Sequence, residues 1–164
     1  MNPSVYPIPI KAQGLPVPLQ CFVFGSYRFT VLTSRLIRIE FSPTRKFEDR
    51  ISQSVWFRNL GPVDCTQSTD HGVFRLETAD LNLECHDGNS LSPNSGSVRI
   101  RGSKTAWLFG EPLPNLKGTA RTLDGVSGRT VLGDGVVSRS GMALLDDSGA
   151  LLLNDEGWPV PNET

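Results

Sequence analysis

From residue 115 to residue 158 a glycine arrives every few positions. Eight fall within 44 residues: Gly118, Gly125, Gly128, Gly133, Gly135, Gly141, Gly149 and Gly157. Only short apolar runs fit between them: Val131-Leu132, Val136-Val137, residues 142–145 and residues 150–153. Glycine costs a helix about 1 kcal/mol per position relative to alanine, and it opens the backbone conformations that tight turns need. A continuous helix is therefore excluded here. The first half reads as a long ordered loop that something must hold. The second half, residues 141–158, reads as a hairpin turning at Asp147-Ser148-Gly149.

The preceding hundred or so residues alternate. In residues 27–33, Tyr27, Phe29 and Val31 point one way and Arg28, Thr30 and Leu32 the other. Residues 35–42 repeat the pattern, with Ile37, Ile39 and Phe41 against Leu36, Arg38 and Glu40. A period of two in β-branched and aromatic residues is the strand signature, so these runs predict an antiparallel pair turning at Thr33-Ser34. Further strands are expected at residues 20–24, 51–59, 73–78, 81–85, 97–101 and 105–109, with 61–72 as a loop. Within 81–85, Leu81, Leu83 and Cys85 share a face. No eleven-residue window carries a helical stripe. Five prolines within the first 18 residues make 1–19 an extended lead-in that can lie along a sheet edge but not inside a sheet. Many short strands separated by Gly/Pro turns predict an all-β antiparallel sandwich, one domain over residues 20–164, with little or no helix.

Composition removes several function classes. Sixteen Lys and Arg balance 17 Asp and Glu, a net charge of −1, so bulk electrostatics recruit neither nucleic acid nor an anionic membrane. No apolar run approaches the ~18 residues of a membrane span, and no basic segment followed by an apolar one opens the chain. These features predict a cytoplasmic protein. Cys21, Cys65 and Cys85 are then small hydrophobes in a reducing compartment, not a disulfide pair.

The candidates for chemistry are sparse. His71 and His86 sit in polar loops beside Asp70 and Asp87 with no third ligand near, so no metal or cofactor is predicted. Asp146 and Asp147 are adjacent, and neighbours on a strand project to opposite faces, which suits a turn better than an acid/base pair. Gly133-Asp134-Gly135 is followed by neither a helix nor Lys-Ser/Thr, so a phosphate loop has no support. No catalytic residue is assigned. Arg121, Arg129 and Arg139 interleave with Asp124, Asp134, Asp146 and Asp147. They either pin the glycine-rich loop to its own acids, or Arg139 and Ser140 stand at the rim of a partner's pocket. Trp56, Trp107 and Trp158 are the aromatics a sugar-binding module could use.

Several motifs occur in a telling order: Arg35-Leu36-Ile37-Arg38, Phe47-Glu48-Asp49-Arg50, the heptapeptide GTARTLD at 118–124, Ser138-Arg139-Ser140-Gly141 and Asp146-Asp147-Ser148-Gly149. Their order and spacing, over most of residues 20–160, resemble the N-terminal β-domain of glycoside hydrolase family 31, the α-glucosidase and α-xylosidase family. The resemblance implies a galactose-mutarotase-like supersandwich whose work belongs to a larger enzyme. In that family the catalytic aspartates stand on a (β/α)₈ barrel that follows this domain, and no aspartate here matches those motifs. It further implies that the catalytic barrel is the partner, that α-linked carbohydrate is bound in the context of the full enzyme, and that the chain stops short of a last strand and the barrel. Arg139 and Ser140 take the position of the loop that reaches the pocket, and Arg121, Asp124, Arg129 and Trp158 that of the loop and interface around it. Met142 stands where relatives carry an aromatic residue. Two other expectations stay open: a stand-alone carbohydrate-binding module, and a mutarotase-like enzyme.

Overall fold

The structure is a computed structural model, and it describes residues 14–88, 90–118 and 124–162. Among these residues the regular structure is strand, apart from one 3₁₀ turn at Pro18–Gln20. Strands β1 (Cys21–Phe24), β2 (Tyr27–Thr33) and β3 (Leu36–Phe41) form one antiparallel sheet in that order. A five-stranded antiparallel meander follows: β4 (Cys65–Asp70), β5 (Val73–Thr78), β6 (Leu81–His86), β7 (Gly96–Ile100) and β8 (Ala106–Leu108). Strands β9 (Leu152–Leu153) and β10 (Pro159–Val160) make a small third sheet. The all-β architecture is as predicted, and no helix among the described residues is long and apolar enough to cross a membrane.

The alternation decides which faces meet. Tyr27, Phe29 and Val31 lie opposite Phe41, Ile39 and Ile37 across the β2–β3 ladder. Their side chains pack on Phe74, Leu76, Leu81, Leu83, Cys85 and Val98 of the larger sheet, all buried. Phe29 stacks on Phe74 at 5.1 Å between ring centroids, and Phe24 on the same ring at 5.5 Å. Each such side chain contributes about 1.5–3 kcal/mol by leaving water. Phe109 closes one end, and the close approach there requires a glycine. A Cβ on Gly96 would stand 2.4 Å from the Phe109 ring and 2.6 Å from the Glu84 carbonyl oxygen.

On the outer face of the smaller sheet the β2 side chains Arg28, Thr30 and Leu32 are buried too, but beneath charge. Arg28 sets Nε 2.6 Å from Glu40 and Nη1 2.6 Å from Asp49, and Arg38 shares Glu40. Arg58, 2% exposed, reaches under the strap formed by residues 47–51. It donates to the carbonyls of Glu48 and Arg50, each at 2.6 Å, and more distantly to that of Gly14. Burial, then the neighbouring Arg38, pushes its pKa down to about 10.

Three sequence expectations need correction. Residues 51–59 are not a strand, because Ser52 and Arg58 turn inward as polar anchors and the segment makes isolated bridges only, that of Ser52 to Leu152. Residues 61–72 are not simply a loop, because they contain β4. Its six residues, CTQSTD, lack apolar alternation and are held by in-register pairing with β5. The turn at Asp147-Ser148-Gly149 exists, with Ala150 N–H donating to the Asp147 carbonyl, yet its flanks do not pair as a hairpin. The hairpin turns one step later, at residues 154–157, where the Asn154 carboxamide oxygen accepts from the backbone of Glu156 and Trp158.

Candidate functional site: a clamped ribbon with exposed apolar side chains

Residues 114–118 and 124–143 run outside the two sheets, and they are held by their own polar groups. Asn115 Oδ1 accepts from the N–H of Lys117 at 2.6 Å and of Gly135 at 2.9 Å, while Nδ2 donates to the Gly135 carbonyl. One side chain therefore closes two turns of chain separated by 20 residues. Backbone bonds extend the contact: Leu116 N–H to Val137 O at 3.1 Å, and Arg139 N–H to Pro114 O at 2.9 Å. On the other side Val137 bridges Ala143. Ser138 is 4% exposed; its hydroxyl lies 2.8 Å from that of Ser140 and donates to the Met142 carbonyl. Residues 137–139 are thus gripped from both edges. Gly141, at φ 77°, lies against Ile100 of β7, in a backbone conformation where side chains are strained.

The second anchor spans a longer gap. The Ser52 hydroxyl sits 2.7 and 2.8 Å from the two oxygens of Asp147, and it also accepts the Val55 N–H. With the 51–53 to 151–153 backbone bonds, this ties the C-terminal hairpin to the strap over Arg58. Asp146 is separate: it caps its own turn by accepting from the Ser148 N–H, and the Ser148 bonds hold its carboxyl below the usual range. The two aspartates face different partners and do not form an acid/base pair.

Along this region large apolar side chains face outward. Val131 is 94% exposed, and Leu116, Val126, Leu132, Val136, Val137, Leu144, Leu145 and Leu151 are all exposed. Arg129 and Arg139 are exposed among them. Among the described residues neither makes an ion pair. The acid between them in sequence, Asp134, lies 2.8 Å from Lys117 Nζ. Among the described residues the bonds that hold the ribbon come from Asn115, Ser138 and Lys117. Asp124 is exposed. Arg121 lies outside the described residues. Trp158 is 43% exposed at the end of the hairpin turn, and Ser140 is half-buried.

The other candidates are dispersed. His71 lies in the β4–β5 turn, 3.6 Å from Asp70, and His86 ends β6. Among the described residues no group of three His, Cys, Asp or Glu side chains is placed to hold a metal. Trp107 packs on Phe109 and donates to the Glu111 carbonyl, and Trp56 donates to the Gln53 carbonyl, so both indoles are engaged by the fold. Two shallow cavities lie on the larger sheet. One, of about 330 Å³, is lined by Asp64, Cys65, Thr66, Glu77, Thr78 and Arg101. The other, of about 180 Å³, lies on the outward face around Asn82 and Arg99. No described residue of the ribbon lines either one.

Asn115 carried no signal in the sequence beyond turn chemistry, and Ser138 only its place in the Ser138-Arg139-Ser140-Gly141 motif. Asn-Leu-Lys-Gly reads as an ordinary turn, and its partner at Gly135 is set by the fold. No protein-family model matches the chain, and no curated protein matches it.

Proposed function

We propose that this chain is a non-catalytic N-terminal β-domain of an α-glycosidase of the family 31 type. It packs against a catalytic barrel, and Arg139 and Ser140 stand at the rim of the substrate pocket. The parent enzyme hydrolyses α-glycosidic bonds. The observation that carries this reading is the ribbon itself: a hydrogen-bonded segment that turns a row of Val and Leu side chains outward. Large apolar side chains left exposed along one segment favour an interaction site. Its coincidence with the motifs that resemble family 31 favours a barrel as the partner. The scattered acids and histidines favour a supporting domain over an enzyme in its own right.

Two measurements test this. The purified 164-residue chain should not hydrolyse an aryl α-glucoside or α-xyloside. Clear turnover abolished by a single aspartate substitution would refute the non-catalytic reading. Val131→Lys and Val136→Lys should reduce binding of an apolar dye while leaving the melting temperature unchanged. A large fall in melting temperature would mean these side chains belong to a core and not to an interface.

Trp158 favours a second reading, a stand-alone carbohydrate-binding module, because it is the exposed member of the three tryptophans. Saturable quenching of its fluorescence by maltose, isomaltose or xylose oligomers would support the module; a flat titration would leave the barrel-packing domain.

A further inference from the structure

Arg139 is held in a way unlike an ordinary surface arginine. Its own N–H donates to Pro114 O at 2.9 Å, and the residues beside it are fixed from two directions. Ser138 is buried and bonded to Met142 and Ser140, and Asn115 bridges to Ser138 while clamping Gly135. The guanidinium meanwhile stays exposed, with no ion pair among the described residues. A flexible five-donor side chain is thus mounted on a fixed base and left exposed. Surface arginines that serve only solubility need no such base. Preorganising the backbone lowers the entropy lost when the side chain takes a ligand.

We infer that Asn115, with Ser138, is a positioning residue for Arg139: the carboxamide sets the backbone from which the guanidinium meets a hydroxyl- or carboxylate-bearing group at the pocket rim. This rests on the pocket-rim reading above. Asn115 suits the task because it supplies an acceptor and a donor in one plane and so closes both strands of the ribbon at once. Aspartate at this position keeps the acceptor for Gly135 and Lys117 N–H and loses only the donor. Leucine loses both.

Two experiments separate failure of the clamp from failure of the rim reading. In the 164-residue chain, Asn115→Leu should speed hydrogen exchange at the Leu116, Gly135 and Arg139 amides about tenfold or more, with β2 and β6 amides unchanged. Asn115→Asp should retain most of the protection at Gly135. Unchanged exchange in Asn115→Leu overturns the clamp. In the α-glycosidase that carries this domain, Asn115→Leu should raise KM for an aryl α-glucoside about fivefold at nearly constant kcat. Asn115→Asp should restore most of it, Arg139→Ala should match Asn115→Leu, and the double variant should be no worse than either. Faster exchange with an unchanged KM overturns the positioning role together with the rim reading, and so does a double variant whose effects add.

Discussion

Arg58 offers a test of how the strap is held, because opposing terms of similar size meet at one side chain. It is 2% exposed and makes no ion pair among the described residues. Its two 2.6 Å bonds run to the carbonyls of Glu48 and Arg50. Charge-assisted bonds of this kind contribute about 1.5–3 kcal/mol each, so about 3–6 kcal/mol together. Opposing them is the cost of keeping a cation where burial and Arg38 lower its pKa to about 10. That shift corresponds to roughly 3 kcal/mol against the charged form. The sign follows from a folded pKa below the unfolded one: the cost is fully present below pH 10, where both states are protonated. Arg58→Met keeps the apolar stem and removes both contributions. The difference is a net loss of about 2 kcal/mol, a fall in melting temperature of about 4–8 °C for a domain of this size. Calorimetry with a parallel urea titration would measure it, and the slope of the urea transition should not change. A variant as stable as the parent, or more so, would refute the reasoning. The buried cation would then be a burden, and the strap would be held by Arg28 and Asp49 instead.

Other perturbations follow from the same geometry. Gly96→Ala places a methyl group against the buried Phe109 ring and the Glu84 backbone at once, so it should cost about 1–3 kcal/mol in a melting experiment, whereas Gly72→Ala, which meets nothing, should show only the strain of its positive φ. Glu48 is held below the usual carboxylate range first by the Arg50 side-chain bond, so its contribution is complete above the unfolded value of about 4.5 and fades as pH falls through the lower folded value. Urea unfolding at pH 6 and below pH 4 should show less acid sensitivity in Arg50→Gln than in the parent. Burial raises the Cys85 thiol to about 12, and its Sγ donates to the His86 carbonyl. A thiol reagent at pH 8 should therefore leave Cys85 unmodified in the native chain and modify it on unfolding; rapid native labelling, located by mass spectrometry, would contradict its burial.

Local chemistry was sufficient for much of the sandwich. Tyr27, Phe29, Val31, Leu81, Leu83 and Cys85 alternate with polar neighbours, and a period of two allows only one face to be apolar, so the core could be named residue by residue. The glycine spacing likewise excluded helix in 115–158 without reference to any partner. What sequence could not decide shares one cause, dependence on a group far along the chain. β4 is a strand because β5 pairs with it, not because CTQSTD alternates. Asp147 serves Ser52, 95 residues away, where adjacent turn residues looked self-sufficient. Asn115 closes the ribbon, because only the fold brings Gly135 to its carboxamide. Periodicity is a local property that one side chain every second residue can announce. A buried arginine gripping carbonyls, or a carboxamide bridging two loops, acquires its role only when tertiary structure removes water and supplies the partner.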